Sequence, residues 1–462
     1  MGIDGFYSWI RKEFSSAIKK NVNNYIQFNH IYIDINYLLH MYYNESKLKD
    51  KLKRLEETIF NICCNYHPLQ SLTLSCDGAA PLAKLFLQRK RRLDEIRKYD
   101  DNKDVNNSSL NFTPGTKFMN ELDIKLKSLK EKIELTFGIT VNILNNTVGE
   151  AEIKNKDEIN KNLTANPNSS HLLITNDADV LLIVSATINY KNIYILIKDD
   201  LISLNKIIDL KNQKFGSSKY PQLDFAFLNL LNGNDYFPKL KYITIDKLWI
   251  GYSKWNFKYK NLLNFENNKI TVNNEYLIKI LRTCCNNINR NILYKTKLTD
   301  SSPETIDNYI EGIKWCFDMY FNGKYKSNTY IYPGSDNKIC PLILSTYLLN
   351  YPIDLEYSNY QVINITNEYC AIFLLPAQAL SLIEDKYKSF PNKYPNLYEE
   401  ENCIDCKKYH KEMGELNKKY KENLKDKETK KLISSTQKIY TTHRSIHKQL
   451  NIDTIEYILS DL

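Results

Sequence analysis

The sequence lacks a long apolar run. No stretch of its 462 residues approaches the roughly 20 consecutive apolar residues that cross a membrane. The opening residues, MGIDGFYSWI, contain no apolar core of signal-peptide length. A myristoylation signal is also missing, because it requires Ser or Thr at position 6 and this chain has Phe6. We therefore expect a soluble intracellular protein without a membrane partner, in the cytoplasm or alternatively in the nucleus.

A disulfide framework and internal repeats are also missing. The ten cysteines are scattered singly apart from two adjacent pairs, Cys63-Cys64 and Cys284-Cys285, a distribution typical of reduced thiols in a core. No repeat of fixed period is present, which excludes a solenoid-type array. Since the chain is too long for one ordinary core, we expect two or three folded units.

Charge gives only a weak indication of the partner. The chain has 63 Lys and Arg against 54 Asp and Glu, a net charge of +9. This moderate excess favours an anionic partner such as nucleic acid without requiring one. The abundance of Asn, Lys, Ile and Tyr fits an AT-rich genome, such as that of a parasite or a large virus.

Strand and helix patterns alternate along the first 240 residues. Apolar strand patterns begin near residues 30, 71, 138, 171 and 192. This alternation predicts an α/β fold, with a mostly parallel central sheet flanked by helices. From about residue 258 the patterns become helical, so a second, mainly helical region is expected to pack against the first. The expected boundaries are 1–257, 258–395 and a charged C-terminal extension over 396–462.

Acidic residues stand at the ends of the predicted strands or in the turns that follow them. Two of them, Asp177 and Asp179, occupy alternate positions of the segment 171–184, which reads as one strand. Two carboxylates on one face repel each other unless a cation lies between them. Because ligands bind at the carboxyl ends of parallel strands, we expect one cluster: Asp34, Asp77, Glu150, Glu152, Asp177, Asp179 and Asp235.

The clustering favours a metal site, although any one of these acids alone would more often be a solvated turn residue or a helix cap. Carboxylates are the ligands that Mg²⁺ prefers, and seven of them can hold two ions about 4 Å apart, with Mn²⁺ as a substitute. The reaction that two such ions favour is hydrolysis of a phosphodiester.

A basic helix follows Asp77. The segment APLAKLFLQRKRR places Lys84, Gln88 and at least one of Arg91 and Arg92 along one stripe. Such a stripe is either a solvated helix face or a phosphate receptor, and the neighbouring acids favour the receptor. The role of His40 also has two interpretations: it stacks on a base, or it is an ordinary helix histidine.

Several motifs together resemble the XRN family of 5′→3′ exoribonucleases, within the larger group that includes flap endonucleases. They occur in the family's order over residues 1–240: MGIDGFYSWI, IYIDINYLLH, CDGAAPLAKLFLQRKRR, TPGTKFM, VGEAEIK, NDADVLLI and LNGNDYFP. A fainter resemblance covers residues 305–385. It implies a monomeric, Mg²⁺-dependent enzyme that degrades single-stranded RNA carrying a 5′-monophosphate to mononucleotides.

The resemblance also assigns roles to residues. It implies that the seven acids bind metal, that Lys84, Gln88, Arg91 and Arg92 bind the 5′-phosphate, and that His40 stacks on the first base. Tyr330 stands where the family carries tryptophan as a second stacking residue. A further departure is the family motif GEGEHK, which reads GEAEIK here and retains both glutamates.

Two alternative functions remain. A flap-type DNA nuclease shares the carboxylate set but cuts internally and does not require a free 5′-phosphate. A catalytically inactive RNA-binding scaffold would be expected to lose acids first, and all seven are present.

The segment CIDCKKYH raises a separate question. It places Cys403, Cys406 and His410 at a spacing that zinc sites use, with His443 and His447 further along the chain. Because the interval from Cys406 to His443 is far longer than in a zinc finger, surface thiols are favoured over zinc.

Overall fold

The computed structural model describes residues 3, 5–20, 26–42, 48–96, 105, 108–285, 302–333, 339–422, 426–444 and 451–461. The chain divides into two compact units. The sheet unit comprises Met1–Glu45, Lys49–Lys84 and Asp123–Asn364, and the helical unit comprises Ser46–Leu48, Leu85–Leu122 and Ile365–Leu462. These boundaries differ from the expected ones, since residues 258–364 belong to the sheet unit and residues 365–395 group with the C-terminal extension.

A seven-stranded sheet forms the centre of the sheet unit. Its strands are β1 (Ile18–Lys20), β2 (Phe28–Asp34), β3 (Pro68–Ser75), β4 (Thr140–Leu144), β5 (His171–Thr175), β6 (Ile193–Ile197) and β7 (Asp200–Ser203). They lie in the order β1-β7-β6-β5-β2-β3-β4. Strands β2 to β6 pair in parallel and β7 pairs antiparallel with both β6 and β1. The expected mostly parallel sheet is confirmed.

Strand β2 lies between β3 and β5 in this sheet. Ile33 pairs with Leu74 of β3 on one side and with Ile174 of β5 on the other. All three side chains are buried, as in parallel strands that are covered on both faces. The shared register brings the carboxyl ends of β2, β3 and β5 to one edge of the sheet.

The helices up to residue 364 lie wholly or partly in the sheet unit. They are α1 (Phe6–Glu13), α2 (Ile35–Met41), α3 (Leu48–Tyr66), α4 (Leu82–Ile96), α5 (Lys117–Phe137), α6 (Ala151–Ala165), α7 (Val180–Ser185), α8 (Leu204–Phe215), α9 (Pro221–Leu230), α10 (Ile245–Tyr259), α11 (Asn274–Cys285), α12 (Pro303–Asn322) and α13 (Pro341–Tyr347). A hairpin of β8 (Leu263–Glu266) and β9 (Lys269–Val272) lies between α10 and α11. Helix α12 packs against α6 and α7, so the expected contact between later helices and the sheet region is confirmed within this unit.

Aromatic rings fill part of the core of the sheet unit. Trp9 of α1 stacks on Trp249 of α10, with ring centroids 6.2 Å apart, and Phe225 of α9 packs against both rings. All three side chains are buried. This cluster attaches the N-terminal helix to helices that come more than 200 residues later in the chain.

The helical unit contains the later part of α4, the first part of α5 and the helices after residue 365. These are α14 (Asn367–Leu374), α15 (Phe390–Lys393), α16 (Glu399–Asn402), α17 (Ile404–Glu422), α18 (Lys427–Arg444) and α19 (Ile452–Asp461). Helices α17 and α18 pack against each other. None of the helices in the described parts of either unit has both the length and the apolar character that a membrane span requires.

One local prediction was wrong. The segment 171–184 is not one strand, because β5 ends at Thr175 and helix α7 begins at Val180. Asp177 and Asp179 therefore belong to a turn and to a helix start. Residues 151–165, directly after Glu150, form α6, whose buried face includes Ile153 and Ile159.

Candidate metal centre

The seven predicted acids follow strand or helix ends of the sheet unit. Asp34 is the last residue of β2, Asp77 lies two residues after β3, Glu150 and Glu152 open α6, Asp177 and Asp179 lie between β5 and α7, and Asp235 follows α9. Their mutual electrostatic interactions connect all seven into one cluster. The structure therefore gathers these acids as the strand order predicts.

Asp34 and Asp77 are held by hydrogen bonds from neighbouring elements. Asp34 accepts one from the backbone N–H of Tyr37, 3.1 Å away, and so caps α2. Its other oxygen lies 3.2 Å from the Thr175 hydroxyl at the end of β5. Asp77 accepts from the N–H of Ala151, 3.0 Å away, at the start of α6. These bonds orient both carboxylates before any ligand arrives.

Lys84 lies between two of the acids. Its Nζ is 2.8 Å from Glu150 Oε1 and 2.8 Å from Asp235 Oδ2. The Tyr236 hydroxyl donates to the other oxygen of Glu150, and the Tyr236 ring lies 5.5 Å from Lys84 Nζ. The ammonium group thus compensates part of the negative charge on this side of the cluster.

Glycines shape the two turns that carry Glu150 and Asp235. Gly149 has φ 104° and a Cβ there would lie 2.8 Å from the Tyr325 ring; Gly233 has φ 74° and a Cβ there would lie 2.3 Å from the backbone nitrogen of Lys239. Both positions combine a left-handed backbone with a close approach, and only glycine meets both conditions.

Asp177 and Asp179 are linked by the turn between β5 and α7. Asp177 accepts a hydrogen bond from the Asp179 backbone N–H at 2.9 Å. Both oxygens of Asp179 accept from the N–H of Ile3, at 2.9 and 3.1 Å. The N-terminal segment therefore fixes Asp179, a contact across 176 positions of sequence.

Burial of like charges governs the electrostatics. Burial and the Asp77 carboxylate raise the pKa of Asp34 to about 7, and burial and Asp177 raise the pKa of Asp179 to about 7. Burial together with neighbouring acids raises the pKa of Glu152 well above its usual range. Such carboxylates are stabilised in their charged form when a cation joins them.

The donor set fits hydrated divalent cations. In the part of the chain that the structure describes, no three of these carboxylates have oxygens that all lie within 4.8 Å of one another. Mg²⁺ keeps several water ligands and is usually held by only one or two carboxylates. All seven acids are therefore candidate ligands.

The residues of the sheet unit that are predicted to bind substrate occupy different environments. Lys84 contacts the acids, as described above, and His40 is exposed on α2. The Tyr330 ring stacks on Trp315, with centroids 4.7 Å apart, and its backbone carbonyl accepts from the N–H of Ala83 in α4. The roles of His40 and Tyr330 in stacking on bases stay predictions.

The other predicted phosphate ligands, Gln88, Arg91 and Arg92, belong to the helical unit. Gln88 is buried and both arginines are half-buried. Arg92 Nε donates to the Thr113 hydroxyl at 2.9 Å, which connects two of the quoted motifs. Phosphate binding by these residues also stays a prediction.

Arg89, which also belongs to the motif APLAKLFLQRKRR, has a structural role. It donates to the backbone carbonyls of Phe373, at 2.5 Å, and Leu397. It also lies 3.6 Å from Glu401. This buried arginine therefore attaches α4 to later helices of the helical unit, and the basic run is not a uniform cationic face.

The sequence reasoning missed residues that position the acids. Asn36 accepts a hydrogen bond from the Asp77 N–H at 3.0 Å, and Lys154 donates to the carbonyls of Cys76 and Leu144 at 2.7 and 3.1 Å. Both stand inside quoted motifs, IYIDINYLLH and VGEAEIK, so their polarity within buried segments was an available signal. Tyr236 gave no such signal.

Comparisons with known proteins point to one family. The family described as XRN 5′-3′ exonuclease N-terminus matches residues 1–199. The 5′-3′ exoribonuclease 1 of Homo sapiens is 26% identical over 214 residues, covering 40% of this chain and 12% of the human protein. The 5′-3′ exoribonuclease 1 of Schizosaccharomyces pombe is 25% identical over 252 residues, covering 46% of this chain and 18% of the yeast protein. The alignments thus span less than a fifth of either relative.

Among solved structures, the catalytic core of Rad2 in complex with DNA substrate is similar at 14% identity and a TM-score of 0.38, covering 70% of this chain and 86% of that chain. The sequence matches extend over the strands and helices that carry six of the seven acids. The resemblance to the XRN family of 5′-3′ exonucleases, which the motifs predict, is therefore confirmed for residues 1–199.

Proposed function

We propose that this protein is a 5′→3′ exoribonuclease that hydrolyses single-stranded RNA with a 5′-monophosphate to mononucleotides, and that it needs Mg²⁺. The observation that carries the proposal is the gathering of seven acids at the carboxyl edge of the sheet. The similarity to enzymes named exoribonuclease supports RNA as the substrate.

The acids would hold two Mg²⁺ ions, for which Mn²⁺ can substitute. Bound divalent cations supply activation of a water and stabilisation of the leaving oxygen in phosphodiester hydrolysis. The chain itself fixes the ligands, since Ile3 N–H holds Asp179, Ala151 N–H holds Asp77 and the Tyr236 hydroxyl holds Glu150. Preorganised ligands of this kind need little rearrangement when metal and substrate bind.

Recognition of the 5′ end is assigned to the basic residues of α4. Lys84, Gln88, Arg91 and Arg92 follow one another over about two helical turns. Guanidinium groups bind a terminal phosphate dianion through bidentate ion pairs, which a neutral 5′-hydroxyl cannot form. After each cut the shortened RNA again carries a 5′-monophosphate, so the same residues can bind it for the next cycle.

The test of the proposed function is a time course on one RNA labelled at either end. With Mg²⁺ present, the 5′ label should leave as a mononucleotide from the first time point, whereas the 3′ label should remain in long products until late. Chelation of Mg²⁺ should stop both processes.

A DNA junction with a 5′ flap serves as the comparison substrate. The proposal predicts that it is cut much more slowly than monophosphorylated RNA. Preferential cutting of the flap at the junction would contradict the proposal and favour the flap-type nuclease instead.

A further inference from the structure

A second group of metal-ligating side chains lies in the helical unit. Cys403 lies between α16 and α17, Cys406 is in the first turn of α17, and His443 is near the end of α18. One ligand atom from each of the three residues lies within 4.8 Å of the other two. Cys403 Sγ is 3.2 Å from His443 Nε2. In the described part of the chain, no other group of three His, Cys, Asp or Glu residues has ligand atoms this close together.

The pairing of α17 with α18 produces this convergence. His410, one turn after Cys406, has its Nε2 2.7 Å from the hydroxyl of Tyr440, one turn before His443. Tyr440 in turn donates to Glu400 at 2.7 Å. These bonds fix the register of the two helices and hold the start of α17 beside the end of α18.

We propose that Cys403, Cys406 and His443 bind a zinc ion that fastens the end of α18 to the start of α17. Two thiolates and an imidazole are a donor set that selects zinc over Mg²⁺, which prefers oxygen. Tetrahedral zinc with sulfur and nitrogen ligands requires ligand atoms about 3.5 to 3.8 Å apart. The group therefore needs only small side-chain adjustments to close around the ion.

The structure also changes which histidine is expected to be the third zinc ligand. The spacing in CIDCKKYH points to His410 as the third ligand, but His410 contacts Tyr440 and the more distant His443 reaches the cysteines. His447 lies outside the described residues. A site of two close cysteines and one remote histidine closes a loop of about 40 residues and orders the C-terminal extension.

The first experiment uses the unmodified full-length protein. It is purified without chelator, and its zinc content is measured by mass spectrometry in buffer containing excess Mg²⁺, which competes for the carboxylate site. About one zinc per chain is expected, as for a structural site. Replacing zinc by Co²⁺ should produce sulfur-to-cobalt charge-transfer absorption, which carboxylate ligands cannot give. Absence of both signals in folded protein would overturn the proposal.

Single substitutions then locate the site. Cys403→Ser and His443→Asn should each lower the zinc content and the cobalt absorption at least fivefold. Cys64→Ser is the matched control, because Cys64 is a partly exposed cysteine of the sheet unit, and it should retain both signals. Full retention of zinc by His443→Asn would contradict the proposed ligand set.

Discussion

At the scale of single residues, the acids of the metal centre differ in what holds them. Asp179 receives both of its hydrogen bonds from the N-terminal segment, whereas Asp177 contacts only its own turn among the bonds described above. Asp177 can therefore lose its charge with less structural disturbance than Asp179. Its replacement tests chemistry more than folding.

Asp177→Asn should lower turnover of RNA at least ~10³-fold while RNA binding stays within about tenfold, because metal-assisted activation of water supplies several kcal/mol. The asparagine oxygen can still accept the bond from the Asp179 N–H. Turnover and binding are measured separately, by single-turnover cleavage and by fluorescence anisotropy. Asp209→Asn, an exposed acid on α8, is the matched control and should behave like wild type; cleavage by Asp177→Asn at the same rate would refute a metal role.

Tyr236 acts through Glu150. Tyr236→Phe removes the hydroxyl that donates to Glu150 but keeps the ring next to Lys84. Because partners of metal ligands tune metal affinity by about 10- to 100-fold, the Mg²⁺ concentration for half-maximal activity should rise by about tenfold. Activity at saturating Mg²⁺ should recover most of the wild-type value. An unchanged Mg²⁺ titration curve would show that this hydrogen bond does not influence the metal centre.

At the scale of elements, the mostly parallel sheet and the carboxyl-edge cluster could be predicted, because buried apolar runs and their following acids are visible in the sequence. The break of the segment 171–184 could not, since Val180 and its apolar successors fit a buried helix as well as a strand. Burial against α9 and α12 selects the helix. Strands β1 and β7 were also missed, because each has only three or four residues.

The domain boundaries were beyond sequence reasoning for a related reason. Helix α4 starts at Leu82 in the sheet unit and continues in the helical unit from Leu85. A continuous helix gives no composition change where compact units meet. The contacts of Arg89 with Phe373 and Leu397 span 284 and 308 positions, and no local pattern indicates them.

Two buried histidines on adjacent strands predict that the folded protein loses stability at acidic pH. His30 of β2 pairs with His171 of β5, and burial, reinforced by His30, lowers the pKa of His171 from 6.5 to about 3. Between these pH values the unfolded chain binds a proton that the folded chain does not, so stability falls as pH falls below 6.5. From pH 6.5 to about pH 5 the loss is about 2 kcal/mol.

His171→Gln should remove most of this loss, because glutamine cannot be protonated at these pH values. The measurement compares urea unfolding of the variant and wild type at both pH values, so that the titration of all other groups cancels. His40→Gln, which changes an exposed histidine, serves as the control. If His171→Gln retains the full acid sensitivity of wild type, the buried neutral histidine is not its source.

At the scale of the whole molecule, the net charge of +9 and the basic residues of α4 predict salt-dependent RNA binding. Contacts with three to six phosphates should give a slope of about −2 to −4 in a plot of log affinity against log salt concentration. Anisotropy of labelled RNA with the Asp177→Asn protein measures this slope without cleavage. A flat response would argue against backbone contacts as the basis of binding.

The central claim is that a free 5′-monophosphate, read by α4, directs the metal centre to the first phosphodiester. Its most direct measurement is the cleavage rate of one RNA sequence in three forms: 5′-monophosphorylated, 5′-hydroxylated and circular. The monophosphorylated form should be cleaved roughly 30- to 1000-fold faster than the hydroxylated form, because cationic side chains bind a phosphate dianion much more strongly than a neutral hydroxyl. The circular form should resist cleavage. Equal rates on the first two forms, or degradation of the circle, would contradict the claim.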